Sequence, residues 1–156
     1  MSSKTLWILC GCPASGKSTW ASNADGVRVS RDEIRFNMMS EDDEYFDKEE
    51  DVFKKFINEL VQQLKENDNV YADATHINWN SRKKLINALK NNSEFDANIS
   101  AVTFYTPLDV CLERNNKRVG RARVPNEVIQ NMYHAFSSPK NDPFHYNEMK
   151  EIRYVK

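Results

Sequence analysis

The 156-residue sequence has only three cysteines, four glycines and a net formal charge of -1, and each shortage removes a class of protein. Cys10 and Cys12 stand one residue apart with no second cysteine or histidine pair nearby, so no metal-ligand framework is expected. Cys10 and Cys111 read as small core residues and Cys12 as a loop residue. No apolar run approaches the roughly eighteen to twenty residues that would cross a bilayer, and no charged, then apolar, then small-residue leader opens the chain. A cytoplasmic protein is the expectation. Near-zero charge gives no overall pull toward nucleic acid, which leaves any such binding to a local patch. Internal repeats and low-complexity linkers are missing as well, and the length favours one domain over residues 1–156 with one site.

What is present is ordinary for a folded chain: 40% apolar and 29% charged residues leave enough apolar material for a core and argue against disorder. Short β-leaning runs are expected at Thr5–Cys10, Val27–Ser30, Val70–Asp73, Ile99–Tyr105 and Ile152–Val155. Between them, Val52, Phe53, Phe56, Ile57, Leu60, Val61 and Leu64 recur at helical spacing and predict a core-facing stripe. Val128, Ile129, Met132, Tyr133 and Phe136, introduced by Pro125, predict a second packed helix. The acidic stretch from Glu41 to Asp51 reads as a solvated approach to the first of these helices. Strands alternating with helices need crossover connections. The expected fold is therefore α/β: three layers, a mainly parallel sheet of about five strands, helices on both faces and ligands at the carboxyl ends of the strands.

Two of the four glycines fall in "GCPASGKST", directly after the apolar run Leu6 to Leu9. Gly11, four intervening residues including Ser15, then Gly16, Lys17 and Ser18 fit the phosphate-loop pattern G-x-x-x-x-G-K-[ST]. A strand entering and a helix leaving would aim successive backbone N–H groups and the positive helix end at an anion. In that arrangement Lys17 bridges the β- and γ-phosphates, Ser18 holds Mg²⁺ through its hydroxyl, and Thr19 adds a hydroxyl near the α-phosphate.

A nucleotide site raises the question of what receives the phosphoryl group. "VSRDEIR" places Ser30, Arg31, Asp32, Glu33 and Arg35 after the second strand, at the rim where such sheets bind ligands. A carboxylate there can take the proton of an alcohol, which makes Asp32 a candidate general base. Arg35, about one helical turn on, would face the same way and could grip an acceptor phosphate. The competing reading is structural: Ser30 or Asp32 as an N-cap, with Arg35 paired to a surface carboxylate. Asp73, at the end of the third strand, either orients Mg²⁺ through water or caps the next helix. His76 beside it reads as a hydrogen-bonded structural residue. Trp20 and Trp79 stack on bases or, as the safer assumption, pack in the core.

"ERNNKRVGRARVP" gathers Arg114, Lys117, Arg118, Arg121 and Arg123 around Gly120. A mobile arginine-bearing segment can close over a triphosphate and neutralise charge on the transferred group, with Arg118 the first candidate and Arg114 the second. A basic helix end favoured by the macrodipole accounts for Arg114 and Lys117, though not for Arg121 and Arg123.

Together these segments resemble the 5′-kinase domain of bacteriophage-type polynucleotide kinase, within the P-loop kinases. "GCPASGKSTW" is similar to that family's phosphate loop down to the Cys-Pro and the tryptophan, and "RDEIR" to its Arg-Asp-acid-x-Arg segment. "DATHIN" is similar to its strand-end Asp-Thr-x-x-Asn segment with one residue more between Asp73 and Thr75, and "RNNKR" followed by "VPNEVIQNMY" to its lid arginines and lid helix. The resemblance implies a P-loop kinase-type fold with phosphate loop 11–19, acceptor segment 30–35 and lid at about 114–125. It implies Asp32 as the general base, Arg35 on an acceptor phosphate, Asp73 and Thr75 on the substrate side, Arg118 on the transferred phosphate and Arg114 on the nucleotide. ATP, Mg²⁺ and a 5′-hydroxyl DNA or RNA are the implied ligands; a phosphatase activity is not inferred.

A kinase of a small alcohol or nucleoside on the same scaffold is the alternative. An NTP-driven switch or motor ranks below it, because no N-K-x-D guanine signature is present and Asp73 is not followed by glutamate.

Overall fold

Along β1 (Thr5–Cys10), Leu6, Ile8 and Cys10 point to one face of the sheet and Trp7 and Leu9 to the other, and all five are buried. A strand apolar on both faces belongs in the middle of a parallel sheet covered on both sides. The computed structural model, which describes residues 3–39 and 48–154, places β1 there. Five parallel strands run in the order β2 (Val27–Ser30), β3 (Asn69–Asp73), β1, β4 (Asn98–Tyr105), β5 (Met149–Arg153).

Helices α3 (Glu49–Leu64) and α4 (Trp79–Lys90) cover one face. From α3 the expected stripe is buried, Val52, Phe56, Ile57, Leu60, Val61 and Leu64, with Phe53 half-buried at its margin. On the other face α1 (Lys17–Asn23) seats Ala21 and Trp20 against Trp7, Leu9, Tyr71, Val102 and Phe104. Trp20 meets Tyr71 and Phe104 edge-on, and Trp79 packs against the larger core, so both tryptophans are packing residues. The three cysteines are buried, Cys12 in the loop after β1, where it packs with Cys111 of α5 (Leu108–Asn116) and Ile129 of α6 (Asn126–Ala135).

Four strands fall within a residue of their expected bounds. The fifth begins three residues before the expected 152–155 and ends at Arg153, and Val155 is outside the described residues. Backbone pairing explains the shift: Asn147 N–H donates to Ile99 O and Ala101 N–H to Glu148 O, so the edge strand joins β4 before its own apolar residues begin. An edge strand tolerates such polar residues because only one of its sides is paired.

The α6 pattern also needs correction. Of its apolar set only Ile129 is buried, while Val128 and Tyr133 are exposed at 36% and 40%. The reason is position, since α6 packs on α5 at the periphery instead of on the sheet. Of the acidic stretch, residues 41–47 lie outside the described residues; Glu49, Glu50 and Asp51 form the first turn of α3, where carboxylates suit the positive helix end.

Candidate active site at the carboxyl ends of the strands

The loop leaving β1 turns on two glycines for different reasons. At Gly11 a Cβ would stand 2.7 Å from Ser15 Oγ and 3.1 Å from Phe104 Cβ, so a side chain has no room. Gly16 has φ near 100°, a left-handed conformation that glycine adopts without strain, and it precedes α1 with no side-chain cap. The first amides of α1 therefore have no side chain to accept from them, the usual setting for an anion. Gly11 N–H donates to Thr75 O at 2.9 Å and Thr106 Oγ1 donates to Ser15 O at 2.7 Å, tying the loop to the ends of β3 and β4.

Lys17 lies inside this wrap, 7% exposed, and its ammonium donates to Gly11 O at 3.0 Å and Cys12 O at 2.7 Å. Burial pulls its pKa below the usual lysine range, while the charges of Asp73 and, more weakly, Asp32 pull the other way. Both carboxylates are therefore felt at the lysine from the neighbouring strand ends.

Ser18 Oγ donates to Asp73 Oδ2 at 2.7 Å, which joins the first residues of α1 to the tip of β3. Asp73 caps no helix, since Asn78 caps α4 in a capping box with Ser81. Arg28 of β2 completes the pair, with Nε 2.7 Å from Asp73 Oδ2 and Nη2 3.2 Å from Ser18 Oγ. Among the described residues no group of three or more His, Cys, Asp or Glu side chains could hold a metal ion. One hydroxyl beside one carboxylate fits Mg²⁺ all the same, because that ion commonly takes only one or two carboxylates and completes its shell with phosphate oxygens and water.

At α2 (Arg31–Met38) the two readings of the acceptor segment coexist. Ser30 is the N-cap, its Oγ accepting from Glu33 N–H at 3.2 Å, which leaves Asp32 in the first turn with its carboxylate largely exposed. Arg35 does face Asp32, to which its Nη1 donates, but it is buried instead of lying on the surface. Its main partner is Glu49 of α3, bound through both carboxylate oxygens at 2.8–3.2 Å, and Arg31 shares that carboxylate. Burial pushes the Glu49 pKa up, but Arg35 and Arg31 outweigh it and hold the group below the usual carboxylate range. Glu49 was hidden in the sequence among the eight acids of its stretch. Arg28 left a faint signal, a cation between Val27 and Val29 in a strand, where the two-residue period puts it on the same side as Ser30.

The arginine segment spans the end of α5, a single 3-10 turn at Gly120–Ala122 and the start of α6. Arg114 reaches Ala14 O at 3.4 Å, Arg118 reaches Ala122 O at 3.5 Å, and Arg121 reaches Phe36 O on α2 at 3.3 Å. Arg114 and Arg118 line an open cleft of about 530 Å³ together with Ser15, Gly16, Thr19 and Tyr154. Thr75 joins the site through its carbonyl. His76 is structural, as expected: it is buried, adopts φ near 42°, and sets Nδ1 2.9 Å from Leu9 O. Buried Arg82 holds the His76 carbonyl at 2.8 Å and pairs with Asp142 through two contacts, a support that the sequence did not announce.

A glycine-lysine loop between the first strand and first helix of a parallel 2-3-1-4-5 sheet, with an arginine segment beside it, defines a P-loop kinase-type fold. Residues 6–139 match the AAA_33 family, described as an AAA domain, and the chain belongs to it. It is 33% identical over 144 residues to L-seryl-tRNA(Sec) kinase of Methanococcus maripaludis, covering 86% of this chain and 53% of that protein. It is 29% identical over 157 residues to a putative bifunctional polynucleotide kinase/RNA ligase of Autographa californica nuclear polyhedrosis virus, covering 90% of this chain and 22% of that one. Among solved structures, a chain of the Pnkp1/Rnl/Hen1 RNA repair complex matches with a TM-score of 0.69 and 28% identity over 86% of this chain and 44% of its own. The chain thus spans about half or less of the length of these relatives. Among the described residues no helix is long and apolar enough to cross a membrane.

Proposed function

We propose that the chain is an ATP-dependent kinase of a polynucleotide 5′-hydroxyl, acting as one unit over residues 1–156. The observation that carries this reading is the placing of Asp32. Its largely exposed carboxylate stands in the first turn of α2, held by Arg35, and α2 follows directly on Ser30, which lies in register with Asp73 across β2 and β3. In this reading the loop amides and Lys17 hold the β- and γ-phosphates of ATP, Thr19 and Arg114 hold the rest of the nucleotide, and Ser18 and Asp73 hold Mg²⁺, which supplies charge neutralisation at the phosphates. Asp32 accepts the proton of the acceptor hydroxyl as the acceptor oxygen attacks the γ-phosphorus, the bond from that phosphorus to the β,γ-bridging oxygen breaks and ADP leaves with the electron pair, and Arg118 closes on the transferred group. Arg35 contributes from its buried seat by holding Asp32, and its contact with an acceptor phosphate requires Glu49 to give way.

The relative named for L-seryl-tRNA(Sec) favours a second reading, in which the alcohol is a side-chain hydroxyl carried on a tRNA. Both readings share an alcohol attached to a nucleic acid. Incubation with γ-labelled ATP and MgCl2 against a 5′-hydroxyl oligonucleotide, seryl-tRNA and a free nucleoside separates them. Label on the oligonucleotide 5′ end is the expected result; label on seryl-tRNA alone or on the nucleoside alone overturns the proposal.

A further inference from the structure

The position of Arg28 carries an inference that rests on the metal–nucleotide reading of the site. We infer that Arg28 is a built-in counter-cation of the Ser18–Asp73 pair, which competes with the divalent ion of the incoming nucleotide and sets how much metal the site requires.

Three contacts define its seat: Nε donates to Asp73 Oδ2 at 2.7 Å, Nη2 to Ser18 Oγ at 3.2 Å, and Nη1 to Glu33 Oε1 at 3.1 Å. The Ser18 hydroxyl proton is already committed to Asp73 Oδ2. The guanidinium therefore draws on the lone pairs of that hydroxyl, the same electrons that a metal ion on Ser18 would need. It also occupies the carboxylate oxygen nearest to them. Asp73 is only 6% exposed, and a carboxylate so buried calls for a cation or several donors against it. Lys17 adds charge from a distance but makes no hydrogen bond to Asp73, its ammonium donating to the loop carbonyls instead. Arg28 fills the need at every working pH, since a guanidinium does not deprotonate.

The third contact explains how the seat can be vacated. Glu33 lies outside the pair and is largely exposed, so a guanidinium that leaves Asp73 and Ser18 keeps a charged partner without crossing the site. Exchange is then between two compensated states, one with Arg28 on Asp73 and one with Arg28 on Glu33 and a divalent ion against Asp73. Two cations cannot share one carboxylate oxygen at short range without strong repulsion. Metal alone should compete poorly, and metal arriving with phosphates should compete well, because the phosphates add ligands that the guanidinium cannot displace.

The test is thermal melting with MgCl2 titrated in the absence and presence of ADP, on wild type and on Arg28→Met, which keeps the length of the stem and removes the charge. The variant should melt lower without metal. It should need about tenfold less MgCl2 for half-maximal stabilisation in ADP. It should also respond to MgCl2 alone, which wild type should not. Arg28→Lys keeps the charge but cannot span both oxygens; it should lie between the two and serves if the methionine variant fails to fold. A variant that needs as much MgCl2 as a responsive wild type, or more, makes Arg28 a support for the metal site and overturns the inference alone. A wild type whose melting ignores ADP at every MgCl2 concentration overturns the nucleotide reading and this inference with it.

Discussion

The phosphate loop and the arginine segment face the same cleft, yet they are held in opposite ways. In the loop, Lys17 is buried with contacts of 2.7 and 3.0 Å, Ser15 O is held at 2.7 Å, and Gly11 N–H is satisfied at 2.9 Å. In the arginine segment the contacts of Arg114, Arg118, Arg121 and Arg123 run from 3.3 to 3.5 Å, and Val119 between them is 84% exposed. The backbone of the first region has its geometry before any ligand arrives, so it loses little to reorganisation when phosphates bind, the main change being Lys17 exchanging loop carbonyls for phosphate oxygens. The second holds several cations in a weakly tied stretch, the kind of element from which closing lids are drawn. Stability and catalysis should therefore separate between them.

Arg118→Ala offers the largest way to break that contrast. If the segment acts only once phosphates are present, turnover should fall by about 10³-fold, the range for a lost arginine on a transferred phosphoryl group. Stability of the ligand-free protein should stay within about 0.5 kcal/mol of wild type, since a half-buried side chain whose one hydrogen bond is a long, exposed 3.5 Å contact is lost. Steady-state kinetics paired with urea unfolding checks both. A variant that unfolds in proportion to its lost turnover would put the segment in the structural class with the loop.

Asp32→Asn sharpens the comparison from the acceptor side. Turnover should fall by about 10²-fold or more, with ATP affinity retained, because the variant removes the proton acceptor and leaves Lys17 and the loop in place. Arg35 keeps Glu49, so the head of α2 should stay folded. Single-turnover rates and nucleotide binding measured side by side decide it, and an unchanged rate would place the base elsewhere.

The part of this contrast visible in the sequence is the part written in short-range patterns. Gly11, Gly16, Lys17 and Ser18 announce the loop because backbone geometry demands those types at those intervals, β1, β3 and β4 announce themselves by being apolar on both faces, and β2 by the alternation of Val27 and Val29 with polar residues. The position of β5 is not legible in this way, because it is set by pairing with β4, which composition does not record. The exposed side of α6 follows from a related cause: periodicity reveals a face, but only tertiary placement decides whether anything covers it. Glu49 and Arg28 were missed because ion pairs between distant elements leave no spacing rule. They join α3 to α2 and β2 to β3, and a charge of either sign looks the same in sequence whether it is solvated or paired.

The smallest effect expected concerns the rigid half and turns on pH. His76 lies under the loop: its ring meets Leu9 O, its own carbonyl is held by Arg82, and Thr75 O beside it receives Gly11 N–H. A carbonyl only accepts, so the neutral ring donates from Nδ1. Burial pushes the His76 pKa down to about 4, against 6.5 for an ordinary histidine. The unfolded chain therefore takes up the proton first as pH falls, and the contribution of this residue is complete above the ordinary value and lost progressively toward the folded one. Between pH 7 and pH 5 that loss should come to about 2 kcal/mol. His76→Asn, which tolerates the positive φ, should be less stable at pH 7 but should lack this component of the pH slope. Urea unfolding of both proteins at the two pH values measures the difference. Arg118→Ala in the same experiment should keep the slope of wild type, because the arginine segment does not bear on the histidine; equal slopes for wild type and His76→Asn would mean that the histidine is not the group that ties the loop to pH.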